Sequence, residues 1–320
     1  MHKAILLSGI LLLLLSGCQN IKEVPAQSAD STFINKSMNE TETPVLPETT
    51  MSSTEMLPEA PSVPIISDID LSAYFKDLNG SAVFFNPEKT TYYVHNSELW
   101  DTKRSPCSTF KIVSGLAALK NGVVTDDSST RKWSGETFWK ADWNRDIDFR
   151  DAFKTSCIWY FRTIIDELGK DTIQAELNAL NYGNCDISDW EGRLNTNNNN
   201  RALTGFWVES SLLISPKEQT EVMERIFGEN SIYDANVLSI LREVMLSETT
   251  DDNLKIYGKT GFGKMGGKLA DAWFVGFMDD GNAPLYFAVY LSENNPDDVS
   301  SADAKQIAME IGRDFKEIFH

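Results

Sequence analysis

Histidine is nearly absent. The 320-residue chain has three, His2, His95 and His320, too few for a histidine-rich zinc site. Only His95 is internal; in the run Tyr92-Tyr93-Val94-His95 it reads as an ordinary strand residue, so a hydrolase built on this chain needs another base. Cysteine is scarce too. Cys18, Cys107, Cys157 and Cys185 have spacings that match no metal-binding pattern, and no metal is expected. If Cys18 is processed, three remain, which leaves a free thiol or an intermolecular bridge; Cys157–Cys185 and Cys107–Cys157 pairs both stay open. Positive charge is in deficit, with 29 Lys and Arg against 47 Asp and Glu and a formal net charge of −18. That argues against nucleic acid and against an anionic membrane surface as partners. No internal repeat is visible. The composition, 42% hydrophobic and 24% charged, is otherwise that of a chain able to bury a sizeable core.

The one long apolar run, Ala4 to Leu15, is too short to span a bilayer comfortably. It follows the basic start His2-Lys3 and stops at Leu15-Ser16-Gly17-Cys18. This resembles the bacterial lipobox and implies a signal peptide over 1–18, with Cys18 left N-terminal and lipidated. The expected location is then the outer face of the bacterial cytoplasmic membrane, with the membrane a partner through the lipid anchor. Residues 19–64 are rich in Ser, Thr, Pro and Glu with scattered apolar residues. Such a stretch cannot bury enough surface to offset its ordering entropy, and it is expected to be a disordered tether. The folded domain is expected over 65–320.

Within it, Ala82 to Phe85 and Thr91 to Val94 are aromatic and β-branched runs around the turn residues Asn86-Pro87-Glu88-Lys89, the pattern of a hairpin. Ser108 to Lys120 predicts a helix with Ile112, Leu116 and Leu119 on one face and Gly122 beyond its end. Helices are also predicted over 161–168, 171–180, 216–227 and 235–246. Strands return over 254–259, 272–277 and 285–291. A closing helix is predicted over 304–319, with the stripe Ile307, Ile311, Phe315 and Ile318. Strands, then helices, then strands and a helix give an α+β fold: one antiparallel sheet made from both chain ends, flanked by helices, with a helical region inserted.

Three short motifs carry chemistry. Ser108-Thr109-Phe110-Lys111 places a hydroxyl and an amine on one helix face. Serine is a weak nucleophile without a nearby base, and lysine can be that base if burial depresses its pKa. At a helix start, free backbone N–H groups would favour an oxyanion at Ser108. Ser156-Cys157-Ile158 offers a second serine able to relay a proton. Lys259-Thr260-Gly261 is expected to end a strand, where the glycine permits close ligand approach and the lysine and threonine offer a cation and a hydroxyl to a carboxylate.

Their order is that of the penicillin-interacting serine enzymes. Further segments narrow the likeness: Tyr182-Gly183-Asn184, the run Phe206-Trp207-Val208-Glu209 to Ile214-Ser215, Trp143-Asn144, and Ala272-Trp273-Phe274-Val275-Gly276. Residues 65–320 thus resemble the class D (OXA-like) serine β-lactamases, and Pro106-Cys107 before the nucleophile is similar to their Gram-positive lipoprotein branch. The resemblance implies hydrolysis of β-lactams, penicillins and some cephalosporins, and resistance to them. It implies Ser108 as the acylated nucleophile and Lys111 carboxylated by CO₂ or bicarbonate as the general base. Trp207 would hold the carbamate through its indole N–H, and Ser156 would handle the leaving-nitrogen proton. Lys259, Thr260 and Gly261 would meet the substrate carboxylate, with the N–H groups of Ser108 and Phe262 as the oxyanion hole. Tyr182 and Asn184 would be scaffold around the pocket, and Cys107 structural. Two departures stand out. Ile158 replaces the usual valine, and Lys305 stands where many members carry a carboxylate-binding arginine, which keeps the charge but loses the bidentate fork. A non-hydrolysing penicillin sensor and a peptidoglycan peptidase share the short motifs; the expected lipid anchor offers no route for an inward signal, and the Tyr-Gly-Asn and Phe-Trp segments are not those of the peptidases.

Overall fold

The computed structural model describes residues 63–319 apart from residue 197. The expectations for 1–18, the lipidation site Cys18 included, lie outside the described residues, as does the tether except for its last two positions.

A short edge strand β1 (Ile65–Asp68) and helix α1 (Ser72–Phe75) precede the predicted hairpin. Its arms β2 (Gly80–Asn86) and β3 (Thr91–His95) are antiparallel, with Phe85 opposite Tyr92. A single 3₁₀ turn over Cys107–Phe110 leads into α2 (Lys111–Lys120). The inserted region holds a two-residue ladder, β4 (Thr130–Arg131) and β5 (Ile147–Asp148), and then α3 (Phe149–Thr155), α4 (Ile158–Leu168), α5 (Lys170–Leu180), α6 (Pro216–Phe227) and α7 (Ala235–Met245). Helix α6 starts where predicted because Pro216 follows Ser215, whose side chain closes a reciprocal capping box with Glu218. The chain returns through β6 (Leu246–Thr249), β7 (Lys255–Met265), β8 (Lys268–Asp279) and β9 (Leu285–Ser292) and ends in α8 (Ser301–Arg313) and α9 (Phe315–Phe319).

Seven strands form one sheet in the order β1-β3-β2-β9-β8-β7-β6, antiparallel except for β1 beside β3. Strands from both ends of the described region therefore meet in one sheet, as the α+β reading expects. Alternate residues of β8 divide the core. Trp273, Val275 and Phe277 face the helical region, while Ala272, Phe274 and Met278 face α8. Burial on both faces explains why β8 and β9 read as nearly unbroken apolar runs.

Two element boundaries differ from expectation. The predicted closing helix breaks at Asp314, whose carboxylate accepts a hydrogen bond from the Tyr74 hydroxyl (2.7 Å), and the chain turns into α9. Lys259-Thr260-Gly261 does not end its strand: β7 runs on to Met265, because β8 supplies a ladder partner all the way to its tip. On the other side β6 pairs only with Lys255–Tyr257. From Gly258 onward, no strand among the described residues covers that edge of β7. The three described cysteines are all free thiols, so neither conceivable disulfide forms. His95 is a strand residue whose Nδ1 accepts the Leu71 N–H at 3.3 Å.

Candidate active site

Ser108 sits in the 3₁₀ turn immediately ahead of α2. With three residues per turn, positions i and i+3 eclipse one another, and Lys111 Nζ lies 2.9 Å from Ser108 Oγ. Lys111 is only 1% exposed, and its amine faces the Phe161 ring, 5.2 Å from the centroid. Desolvation pushes its pKa down to about 7, helped by repulsion from Lys140. A large share of the amine is therefore neutral near pH 7, the state a base requires.

Ser156 caps the C-terminus of α3 in a left-handed conformation, φ 62°. That turn delivers its Oγ to Lys259, whose Nζ donates to it at 3.1 Å. Lys259 also donates to Thr260 O at 3.0 Å. Lys259 is buried, and desolvation first, then the neighbouring Lys111, Lys140 and Lys305, lowers its pKa strongly. The sequence-predicted residues Ser108, Lys111, Ser156 and Lys259 are thus brought together, and the structure adds the Ser156–Lys259 contact that the sequence did not predict.

Strand β7 lies directly on the nucleophile's turn. A Cβ at Gly261 would stand 2.7 Å from Pro106 O and 2.9 Å from Thr109 Cγ2, so only glycine permits the approach. Phe262 follows on the same strand with its side chain exposed and Lys264 Nζ 5.6 Å from its ring centroid. Lys305, from α8, lines the same cavity as Lys259 and Thr260. It is half-buried, burial lowers its pKa, and its Nζ lies 5.7 Å from the Phe274 ring centroid.

Trp207 is fully buried, and its indole N–H has no hydrogen-bond partner among the described residues. A buried unpaired donor is costly, so this N–H is available to an acceptor that the bare chain does not supply. The buried Arg162 guanidinium stands 5.8 Å from the Trp207 ring and 5.4 Å from that of Trp190. It is held by Asp166 (2.6 Å) and by Trp190 O (2.7 Å).

Sequence reasoning missed three supporting residues. Ser105 Oγ donates to Trp207 O (3.2 Å) and accepts the Glu209 N–H (2.9 Å). Glu209 has φ 50°, rare for a residue with a side chain, and its carboxylate accepts the Lys264 N–H of β7. Arg162 is the third. Glu209 lay inside the Phe-Trp segment and was visible there, but nothing in the sequence marks Ser105 or Arg162. Asn184 of the Tyr-Gly-Asn segment behaves as scaffold. It donates to Ser211 O (2.8 Å) and accepts from Leu213 N (2.9 Å), tying that turn to the Phe-Trp segment.

The chain matches the penicillin binding protein transpeptidase domain family over residues 80–313. A crystal structure of a class D β-lactamase from Bacillus subtilis superposes with a TM-score of 0.66 at 28% identity, covering 79% of this chain and 97% of that one. The probable β-lactamase YbxI of Bacillus subtilis (strain 168) is 31% identical over 249 residues, 77% of this chain and 84% of that protein. The chain belongs to the class D β-lactamase family. Within reach of this family lie sensors as well. The regulatory protein BlaR1 of Staphylococcus aureus is 29% identical over 243 residues, which are 76% of this chain but 39% of that protein. The C-terminal domain of the Bacillus licheniformis BlaR penicillin receptor superposes with a TM-score of 0.69 at 26% identity, covering 80% of this chain and 98% of that one. The described geometry holds a serine hydroxyl against a desolvated lysine, a second serine–lysine pair and a strand edge that no described strand covers.

Proposed function

We propose that this chain hydrolyses β-lactam antibiotics through an acyl-enzyme on Ser108. The observation that carries this reading is the 2.9 Å approach of the buried Lys111 amine to Ser108 Oγ. Ser108 Oγ adds to the ring carbonyl, and its proton passes to residue 111. The developing oxyanion is received by the backbone N–H groups of Ser108 and Phe262. As the ring C–N bond breaks, Ser156 gives its proton to the leaving nitrogen and is reprotonated from Lys259, which already donates to it. Thr260, Lys259 and Lys305 hold the substrate carboxylate. In the second half, a water adds to the ester, its proton goes to residue 111, and Ser108 leaves with a proton restored.

The base is the finer part of the proposal. Only a neutral, desolvated amine captures CO₂, and Lys111 is placed in that state by burial. Lys111 would carry the carbamate and Trp207 Nε1, unpartnered and buried, would donate to it. Carboxylation supplies a carboxylate oxygen as the general base at position 111. Resistance of the host to β-lactams, and export with a lipid anchor at Cys18, belong to the same proposal. A Cys18→Ser chain would then be released from membranes rather than retained.

The test is turnover of a chromogenic cephalosporin with and without added bicarbonate at mildly acidic pH. Multiple turnovers, raised by bicarbonate and lost in Ser108→Ala, are expected. A single stoichiometric burst even with bicarbonate would identify a sensor of the BlaR1 kind. Acylation persisting in Ser108→Ala would end the proposal.

A further inference from the structure

In a chain of net charge −18, one cavity reverses the sign. It has a volume of about 330 Å³ and is floored by Lys259 and Thr260 of β7. Arg150 and Lys154, one helical turn apart on α3, form one wall, and Lys305 of α8 forms another. The single carboxylate among its lining residues, Glu243, is already paired with Arg150 at 3.3 Å. Arg150 is further committed to Asp127, its Nε 2.6 Å from Oδ2. Lys154, Lys259 and Lys305 form no ion pair among the described residues. Four cationic side chains thus line one cleft against a single carboxylate, with Glu248 a further partial offset for Lys305, and a cleft dominated by one sign of charge focuses the field on ligands of the other.

Burial depresses both the Lys259 and the Lys305 ammoniums, and repulsion from neighbouring lysines adds to this at Lys259, so an arriving anion also favours their charged forms. The ring carboxylate assigned above neutralises only part of this. The cavity has room for roughly ten water molecules at ~30 Å³ each, more than one carboxylate fills. Lys154 is exposed, whereas Lys259, which lines the same cavity, is buried.

We infer that this cavity takes a second anionic group beside the ring carboxylate, with Lys154 as the specificity-determining contact. The substrate class so favoured is cephalosporins whose C3 substituent, adjacent to the carboxylate-bearing carbon, is itself anionic. The inference rests on Ser108 acylation as proposed above.

The test takes three cephalosporins with one acyl side chain and an anionic, a neutral or a quaternary ammonium C3 substituent. The second-order rate of Ser108 acylation is read by intact mass on the full chain, so the measurement holds whether or not the acyl group turns over. The anionic compound is expected to lead the neutral one by about fivefold at low salt, as suits an exposed charge worth ~1 kcal/mol, and the ammonium compound to trail. The anionic-to-neutral ratio should approach one in about 1 M salt, where the Debye length is ~3 Å. It should approach one in Lys154→Gln, fall below one in Lys154→Glu, and survive in Lys154→Arg. Equal rates for the three compounds, or a ratio that Lys154→Glu leaves in place, overturn the inference alone. No acylation by any compound overturns the parent reading and this one with it.

Discussion

Trp207 has a fully buried indole N–H with nothing to donate to, while Phe110, Phe206 and Arg162 hold its ring in place. A side chain this tightly packed needs no polar atom for packing alone; a phenyl ring would fill most of the volume. Trp207→Phe is therefore expected to fold and to acylate, but to lose the donor proposed to hold a carbamate on Lys111. A hydrogen bond to a charged group is worth ~1.5–3 kcal/mol, so deacylation should slow by roughly 10- to 100-fold, and more bicarbonate should be needed for half-maximal activity. Rapid-quench mass spectrometry separates the two half-reactions. A variant with wild-type deacylation and an unshifted bicarbonate response would remove Trp207 from the base. The same residue shows how far sequence carries. Its motif marks it as a partner for position 111, but that its N–H lacks a protein partner depends on packing against Phe110 and Arg162 from two other segments.

Between elements, Glu209 acts as a strut. Its backbone N–H reaches Ser105 in the loop before the nucleophile, and its carboxylate takes the Lys264 N–H where the β7–β8 register shifts after Gly263. The strut thus ties the turn of Ser108 to the strand that carries Phe262, the two proposed sources of the oxyanion donors. Its left-handed backbone is a strain that persists only where surrounding contacts over-determine it. Glu209→Ala should lower the acylation rate about tenfold with a smaller effect on KM, since misplaced donors act on the transition state. Glu209→Gln keeps an acceptor oxygen and should recover most of the rate. Equal losses in both variants would leave Glu209 a mere packing residue. This strut was illegible from sequence, because it joins residues far apart in the chain through one rare φ. Whole elements were more legible: the hairpin from its turn residues, and the late strands from short apolar runs split by Gly, Asp and Asn. The misread end of β7 has a physical cause. Gly261 and Gly263 look like turn signals, yet they are there because a Cβ would collide with Pro106 O or Cys107 Sγ.

At the scale of the whole molecule, the sheet buries a carboxylate beneath the site. Asp271 of β8 lies opposite Gly263 and accepts the Tyr290 hydroxyl at 2.9 Å. Burial raises its pKa from 3.8 to about 6, against weaker lowering by Tyr290 and Arg104. In the unfolded chain the group ionises near 3.8; in the folded one it holds its proton until about 6. Between those values the native state binds more protons than the unfolded one, so this group's contribution to stability falls as pH rises through the window and stays lost above it. The cost above pH 6 is at most about 3 kcal/mol for a shift of this size. Asp271→Asn removes the charge and keeps an oxygen for Tyr290. The variant should gain little at pH 4, where native Asp271 is neutral, and should melt several degrees above the wild type at pH 8, at ~2–4 °C per kcal/mol for a domain of this size. Calorimetry at the two pH values decides it. A melting-temperature gap that does not change with pH would mean that Asp271 stays charged in the fold, held by the attraction of Arg104 rather than neutralised by burial.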